Sequence, residues 1–181
     1  MRITGGIYGG RIIKTVPGLK TRPTPDKVRQ AIFNMIMHDI EGARVLDLFA
    51  GSGALGIEAL SRGAKAATFV EGAHAPAGII RENLAALGIE GRVYENDYKN
   101  ALKMLSAADE KFDIIFADPP YELLGPLEIV AQVAEYNLLE PNGFLIIEHR
   151  AGREVENETW RPTRHKKYGQ TEVTIYVRKE K

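Results

Sequence analysis

The chain is predicted to be α/β: a doubly wound, mostly parallel Rossmann-like sheet with helices on both faces, an antiparallel C-terminal strand and an N-terminal β-hairpin arm. Three observations predict it. From Ala43 onward, short apolar runs alternate with stretches of helical periodicity, the pattern of βαβ units. A glycine-rich turn, Gly51-Ser52-Gly53-Ala54-Leu55-Gly56, joins the first such run to the first such helix. The run Phe112 to Ala117 is apolar in the manner of a strand buried on both faces.

Residues 1–21 read as a basic hairpin-like arm, with Arg2-Ile3-Thr4 and Arg11 to Val16 separated by Gly5-Gly6 and Gly9-Gly10 and closed by Pro17-Gly18. Thr24-Pro25-Asp26 is a helix start, with Thr at the cap, Pro first and Asp in the opening turn. Val28, Ala31, Ile32, Met35 and Ile36 follow at helical spacing, leaving Lys27, Arg29, Gln30 and Asn34 for the opposite face. Arg44 to Phe49 is the first strand and Ala54 to Arg62 its helix. Ala67 to Glu71 is the second strand, with a helix through Ile79, Ile80, Leu84 and Leu87. Arg92 to Asn96 is a short third strand and Tyr98 to Ala107 a helix. Phe112 to Ala117 is the fourth strand, Leu127 to Leu139 a helix and Gly143 to Glu148 the fifth strand. Stretches near Thr159-Trp160 and at Thr171 to Arg178 read as closing antiparallel strands. One domain, 1–181, is expected, the arm followed by a core at 22–181.

With 44% hydrophobic and 27% charged residues, the composition is that of an ordinary globular protein. No apolar run reaches the roughly 18 residues of a membrane span, and the opening residues lack a signal peptide's apolar core. The absence of Cys excludes disulfides and thiolate metal sites and suits the cytoplasm. His38, His74, His149 and His165 have no metal-ligand spacing, so no metal is expected. The net charge of zero is unevenly spread. Residues 1–30 carry +6 and residues 161–181 carry +5, leaving −11 between them. Basic ends on an acidic body suggest a polyanionic partner.

Asp118-Pro119-Pro120-Tyr121 follows the fourth strand, at the strand end where open α/β sheets place ligands. Two prolines stiffen this loop and remove neighbouring amides. The Asp118 carboxylate and a free backbone carbonyl, side by side, can accept both hydrogens of an amino group on a planar substrate. Tyr121 supplies a flat face for stacking. A strand-ending turn capped by Asp is the bland alternative.

The glycine turn lets backbone approach a ligand closely, and it is common to several nucleotide cofactors. Asp47, four residues before Gly51, would repel a pyrophosphate and attract the ammonium of a methionine moiety. Glu71 ends the second strand, where an acid can hold both ribose hydroxyls. Asp97 ends the third and can accept from an adenine amino group. Each acid alone could be a helix cap; together they fit S-adenosylmethionine. The cofactor site is assigned to Asp47, Phe49, Ala50, Gly51, Ser52 and Gly53, with Glu71, Asp97, Tyr98 and Asp118.

These residues resemble a class I S-adenosylmethionine-dependent methyltransferase of the amino-group-modifying kind. More narrowly, the chain resembles the RsmD family, the bacterial 16S rRNA (guanine-N2)-methyltransferases. The resemblance runs through Arg2-Ile3-Thr4-Gly5-Gly6 with Gly10-Arg11, Arg22-Pro23-Thr24, Asp47 to Ala64, Asp118 to Tyr121 and Lys167 to Thr171. It departs after Glu71, where Gly72-Ala73-His74 stands in place of an Asp-containing segment; His74 is expected as an exposed helix-start residue.

The resemblance implies 16S rRNA, in the small subunit or an assembly intermediate, as partner and a monomer as the default state. It implies that a guanine is turned out of its stack. Tyr121 would stack on the base, while Asp118 and the Pro119 carbonyl accept its amino hydrogens. Arg2, Arg11, Lys14, Arg22 and Arg29 are expected on phosphates; for Arg22 and Arg29 the alternative is solvation or an ion pair with Asp26. Other readings stay open: an adenine-amino methyltransferase on DNA or RNA, a glutamine-amide protein methyltransferase, an NAD-dependent oxidoreductase, or a silent RNA-binding protein.

Overall fold

A computed structural model of the chain describes residues 1–16, 25–120, 125–152 and 159–179. In chain order the described elements are α1 (Asp26–Met35), β1 (Arg44–Asp47), α2 (Ala54–Ser61), β2 (Ala66–Glu71), α3 (His74–Leu87), β3 (Arg92–Glu95), α4 (Tyr98–Ala107), β4 (Phe112–Ala117), α5 (Pro126–Glu135), β5 (Leu139–Arg150), β6 (Trp160–Tyr168) and β7 (Thr171–Arg178). The strands form one sheet in the order β3-β2-β1-β4-β5-β7-β6. β1 to β5 run parallel, and β7 lies antiparallel between β5 and β6. The strand order reverses between β1 and β4, which makes their carboxyl ends the ligand crevice of such a sheet.

Each sheet face has its own core. One cluster joins Val28, Ile32 and Phe33 of α1, Leu55 and Ile57 of α2 and Ile80 and Leu84 of α3 to Val45, Phe69, Ile114 and Phe116. The other joins Leu102 and Leu105 of α4 and Ile129 and Val133 of α5 to Leu46, Ile115, Ile147 and Trp160. Neighbouring residues of β4, such as Ile114 and Ile115, serve opposite clusters, as the period of two requires. Among the described residues no helix is long and apolar enough to cross a membrane.

The arm is a short antiparallel pairing. Arg2 bridges Ile12, and the Ile3 amide donates to the Arg11 carbonyl at 2.9 Å. Ile3 and Ile13 are buried in the first core cluster. The arm is bolted to α2: Tyr8 N donates to Ser61 Oγ at 3.0 Å, and Ser61 Oγ donates to the Gly5 carbonyl at 2.6 Å. Gly6 holds φ +76°, and a Cβ there would fall 1.8 Å from the Ser61 carbonyl oxygen, so only glycine allows this contact.

Some element limits differ from expectation. Pro25 is itself the N-cap of α1, while Thr24 lies outside the described residues. α5 stops at Glu135, because Asn137 takes φ +49° and Leu139 is already paired with Phe112 of β4. β6 extends well beyond Trp160, held by β7 out to Tyr168.

The largest correction concerns Arg29. It does not lie on the exposed face of α1; it is 1% exposed, among the apolar residues of that helix. Its Nε donates to Glu58 Oε2 at 3.3 Å and its Nη2 to Asp26 Oδ1 at 3.0 Å and to the Arg2 carbonyl. The guanidinium therefore ties α1, α2 and the arm together and is not offered to a phosphate. Lys27, Gln30 and Asn34 are exposed as expected.

Candidate active site

Four acids follow the ends of four adjacent strands: in sheet order Asp97 after β3, Glu71 on β2, Asp47 on β1 and Asp118 after β4. Register makes them a staircase. Asp47 is level with Phe69 of β2 and with Phe116 of β4, so Glu71 and Asp118 each stand two residues higher. Glu71 is level with Glu95, so Asp97 stands two higher again. Two strand residues rise about 6.6 Å, which puts Asp47 on the crevice floor and explains its 1% exposure.

Asp47 Oδ2 accepts from Gly56 N at 3.0 Å, so it closes the first turn of α2 from outside the helix. Burial pushes the Asp47 carboxyl up to about 7; the Gly56 amide opposes the shift and the charge of Glu71 adds to it. The glycine turn above it has two left-handed residues, Gly51 at φ +55° and Gly53 at φ +81°. Gly56 is needed for a different reason: a Cβ there would lie 2.3 Å from Phe69 Cε1, so close packing of α2 on β2 excludes any side chain. Ala50, at the turn's start, is tied to β2 through its amide to the Val70 carbonyl at 3.0 Å.

Glu71 spans the same turn. Its Oε2 accepts from Gly51 N and its Oε1 from Ala73 N, both at 2.9 Å. Asp97 is the N-cap of α4, its Oδ1 accepting from Lys99 N at 2.9 Å and Asn100 N at 3.4 Å. Phe49 and Tyr98 meet with ring centroids 5.1 Å apart at 44°. The Tyr98 hydroxyl donates to Glu128 Oε1 at 3.3 Å, and burial, then Glu128, pushes the phenol up to about 12. Phe49, Glu71, Gly72, Asn96, Asp97 and Tyr98 enclose a cavity of about 130 Å³ floored by Leu48 and Val70. A larger cavity, about 220 Å³, lies at the opposite end of the sheet around Asp39, Asp113 and Asn142.

The donor set fits a nucleoside-bearing cofactor. A carboxylate offers about four acceptor directions, and backbone amides take two of those of Glu71. Two aromatic rings and two aliphatic side chains line the cavity beside it, together with Asn96 and Asp97. A Cβ on Gly51 would meet nothing within 4 Å, which leaves the turn's surface open to a ligand.

Asp118 and Pro119 emerge from β4 half-buried and buried respectively, with Pro120 exposed. Tyr121 lies outside the described residues, as does Arg22. Of the expected phosphate ligands, Arg2 and Arg11 are exposed, Arg11 lying 5.5 Å from the Tyr8 ring centroid. Lys14 is exposed and paired with Glu82 at 2.8 Å. His74 opens α3 with its side chain 88% exposed, pairing with Glu95 at 2.5 Å.

Sequence reading missed Asn83. It is buried in α3, where its Nδ2 donates to the carbonyls of Ser52 and Lys14 at 3.0 Å each and its Oδ1 accepts from Lys14 N at 2.8 Å. It thus pins the arm's end to the glycine turn. A lone Asn one position before Leu84 on the apolar face was the available signal.

Strands in this order, with the crevice at the reversal beside a glycine turn, make the Rossmann-like fold of methyltransferases. A family model described as Conserved hypothetical protein 95 matches residues 1–177. The chain belongs to that family, which is the RsmD family its motifs resemble. It is 43% identical over 185 residues to "Putative rRNA methyltransferase YlbH" of Bacillus subtilis, covering 99% of this chain and 100% of that protein. It is 38% identical over 186 residues to "Ribosomal RNA small subunit methyltransferase D" of Escherichia coli K12, covering 98% and 90%. Among solved structures, "Putative methyltransferase yhhF from Escherichia coli" superposes with a TM-score of 0.86 at 34% identity, covering 100% of this chain and 99% of that one.

Proposed function

We propose that this protein transfers a methyl group from S-adenosylmethionine to the exocyclic N2 of a guanine in the 16S rRNA of the small ribosomal subunit. The observation that carries the reading is Asp118-Pro119 beside the nucleoside crevice, in a chain whose relatives are named rRNA small subunit methyltransferases. It acts in the cytoplasm and as a monomer.

When bound, S-adenosylmethionine supplies the electrophilic methyl group. Glu71 holds the ribose hydroxyls, with Phe49 and Tyr98 walling the adenine. Ionised Asp47 faces the methionine ammonium. Asp118 and the Pro119 carbonyl accept hydrogen bonds from the two amino hydrogens of the guanine, which aims the nitrogen lone pair and stabilises charge as it develops there; as the methyl leaves sulfur for nitrogen, one of these protons is lost through Asp118 to water. Tyr121 stacks on the base. Arg2, Arg11, Lys14 and Arg22 hold phosphates; Arg29 is not among them, because its guanidinium is buried.

Small subunits lacking the modification, incubated with radiolabelled S-adenosylmethionine, should yield 2-methylguanosine in 16S rRNA by mass spectrometry. Methyladenosine, or label in protein alone, would overturn the substrate. Asp118→Ala should lower turnover by about 10²–10³, or roughly 3–4 kcal/mol, with cofactor affinity nearly unchanged. Near-normal turnover in that variant would refute its role.

A further inference from the structure

The outer edge of the sheet carries charge that neither the crevice nor the Asp118 loop uses. β6 is the last strand of the order and pairs with β7 on one side. It holds Arg161, Arg164, His165, Lys166 and Lys167 and no acid, and all five are exposed. Arg164 is anchored through Nη1 to the Met35 carbonyl. Among the described residues, Arg161, Lys166 and Lys167 form no ion pair; Lys166 Nζ lies 5.8 Å from the Tyr168 ring centroid.

Lysine on an edge strand also guards against edge-to-edge pairing, and the other edge of the same sheet separates the two explanations. On β3, Arg92 is paired with Glu110 at 2.7 Å, and Glu95 with Arg81 at 3.0 Å and His74 at 2.5 Å. The charges of β3 are paired within the chain, whereas Arg161, Lys166 and Lys167 of β6 form no ion pair among the described residues, Lys167 standing level with Glu172 of β7.

Register places the cationic edge beside the site. Ala117 of β4 is level with Ile147 of β5, Thr174 of β7 and His165 of β6. Three strand spacings of about 4.8 Å put His165 roughly 14 Å from Ala117. Lys166 and Lys167 continue toward the same sheet end as Asp118, and exposed Arg150, level with Thr171 and Tyr168, lies beside them.

The geometry points to β6 as a phosphate-binding rail: Lys166 and Lys167, leaving opposite faces of the edge strand and backed by Arg161 and Arg164, clasp the single-stranded RNA flanking the target nucleotide as it enters the Asp118 site. This rests on the reading that the substrate is RNA. At that end Tyr168 packs against the first core cluster.

A fluorescein-labelled single-stranded RNA titrated by anisotropy from about 50 to 200 mM salt tests it. For Lys166→Ala/Lys167→Ala, loss of two phosphate contacts should make the salt slope shallower by about 1.4 and binding at 0.1 M salt about 25-fold weaker. Melting temperature and S-adenosylmethionine affinity should match the wild type. Arginine at both positions should keep the wild-type slope, as should Lys65→Ala/Lys103→Ala away from the edge. An unchanged slope in the double alanine variant, or a wild type that binds no RNA, would overturn the rail. Methyl transfer to small subunits by the wild type is scored separately: transfer with an unaltered double variant removes only the rail, whereas RNA binding through β6 without transfer removes only the proposed reaction.

Discussion

Helix α2 has a buried carboxylate beside each end, and the two are treated differently. Glu58, in its last turn, is fully buried and receives four hydrogen bonds: from Thr4 N, Thr4 Oγ1, Arg62 Nε and Arg29 Nε at 2.7–3.3 Å. Asp47, under its first turn, is as deeply buried and among the described residues receives one, from Gly56 N. Two guanidiniums compensate Glu58, and it clamps the arm and α1 to the core. No cation of the described chain compensates Asp47, so its charge is disfavoured and its carboxyl titrates near 7. A buried carboxylate with matched partners builds the fold. One without a cation is suited to receive a ligand's cation.

The largest effect that would break this contrast is expected from Glu58→Ala. Removing one partner leaves the Arg29 guanidinium buried with its main counter-charge gone, a loss of about 3–5 kcal/mol in urea denaturation. A change below about 1 kcal/mol would mean that the arm and α1 are held by apolar packing alone.

Asp47→Asn comes next, and its signature is a pH profile. The folded carboxyl titrates at about 7 against an ordinary value of 3.8, so the folded protein holds a proton that the unfolded chain has lost between those values. Wild-type stability from this group is therefore present below about pH 4 and lost as pH rises toward 7, with a slope of up to about 1.4 kcal/mol per pH unit. The amide variant lacks that component, so urea midpoints of variant and wild type should diverge in the variant's favour as pH rises. In calorimetry, wild-type affinity for S-adenosylmethionine should fall as pH drops below about 7, when Asp47 gains its proton, and the variant should bind weakly at every pH. Parallel pH profiles for both proteins would sink the assignment.

Gly56→Ala sharpens the same end of the helix. Its Cβ would press on Phe69, which is 0% exposed and has no free side to move to. Overpacking of this kind costs about 1–3 kcal/mol, and the shifted helix should also weaken cofactor binding, since Gly56 N is the donor to Asp47. Stability lost with cofactor affinity intact would separate packing from the site.

The smallest effect belongs to Lys14. Its pair with Glu82 is solvent-exposed, so Lys14→Ala should change stability by less than about 1 kcal/mol. If Lys14 exchanges Glu82 for a phosphate, the RNA salt slope should become shallower by about 0.7. A larger stability loss with an unchanged slope would assign Lys14 to the arm's clamp instead.

The features readable in the sequence are local ones. Period-two and period-3.6 patterns marked the strands and helices of the core, since a strand or helix must bury one face whatever lies across from it. The glycine turn and the acids at Asp47, Glu71 and Asp97 were readable because turn chemistry and strand ends are written within a few residues. Partner choice and depth were not. Arg29 carries the same charge as Lys27, and only the approach of Glu58, 29 residues away, turns one inward and leaves the other in solvent. Asn83 reads as a stray polar residue until the fold brings Ser52 and Lys14 to it. Asp47, Glu71 and Asp118 look equivalent as strand-end carboxylates, yet register sets one two residues below the others and thereby moves its titration. Local pattern was enough to specify which elements form and which chemistry lines the strand ends. Which charges are buried, which are paired and which edge of the sheet stays cationic emerged only on folding, because those depend on distances between residues far apart in the chain.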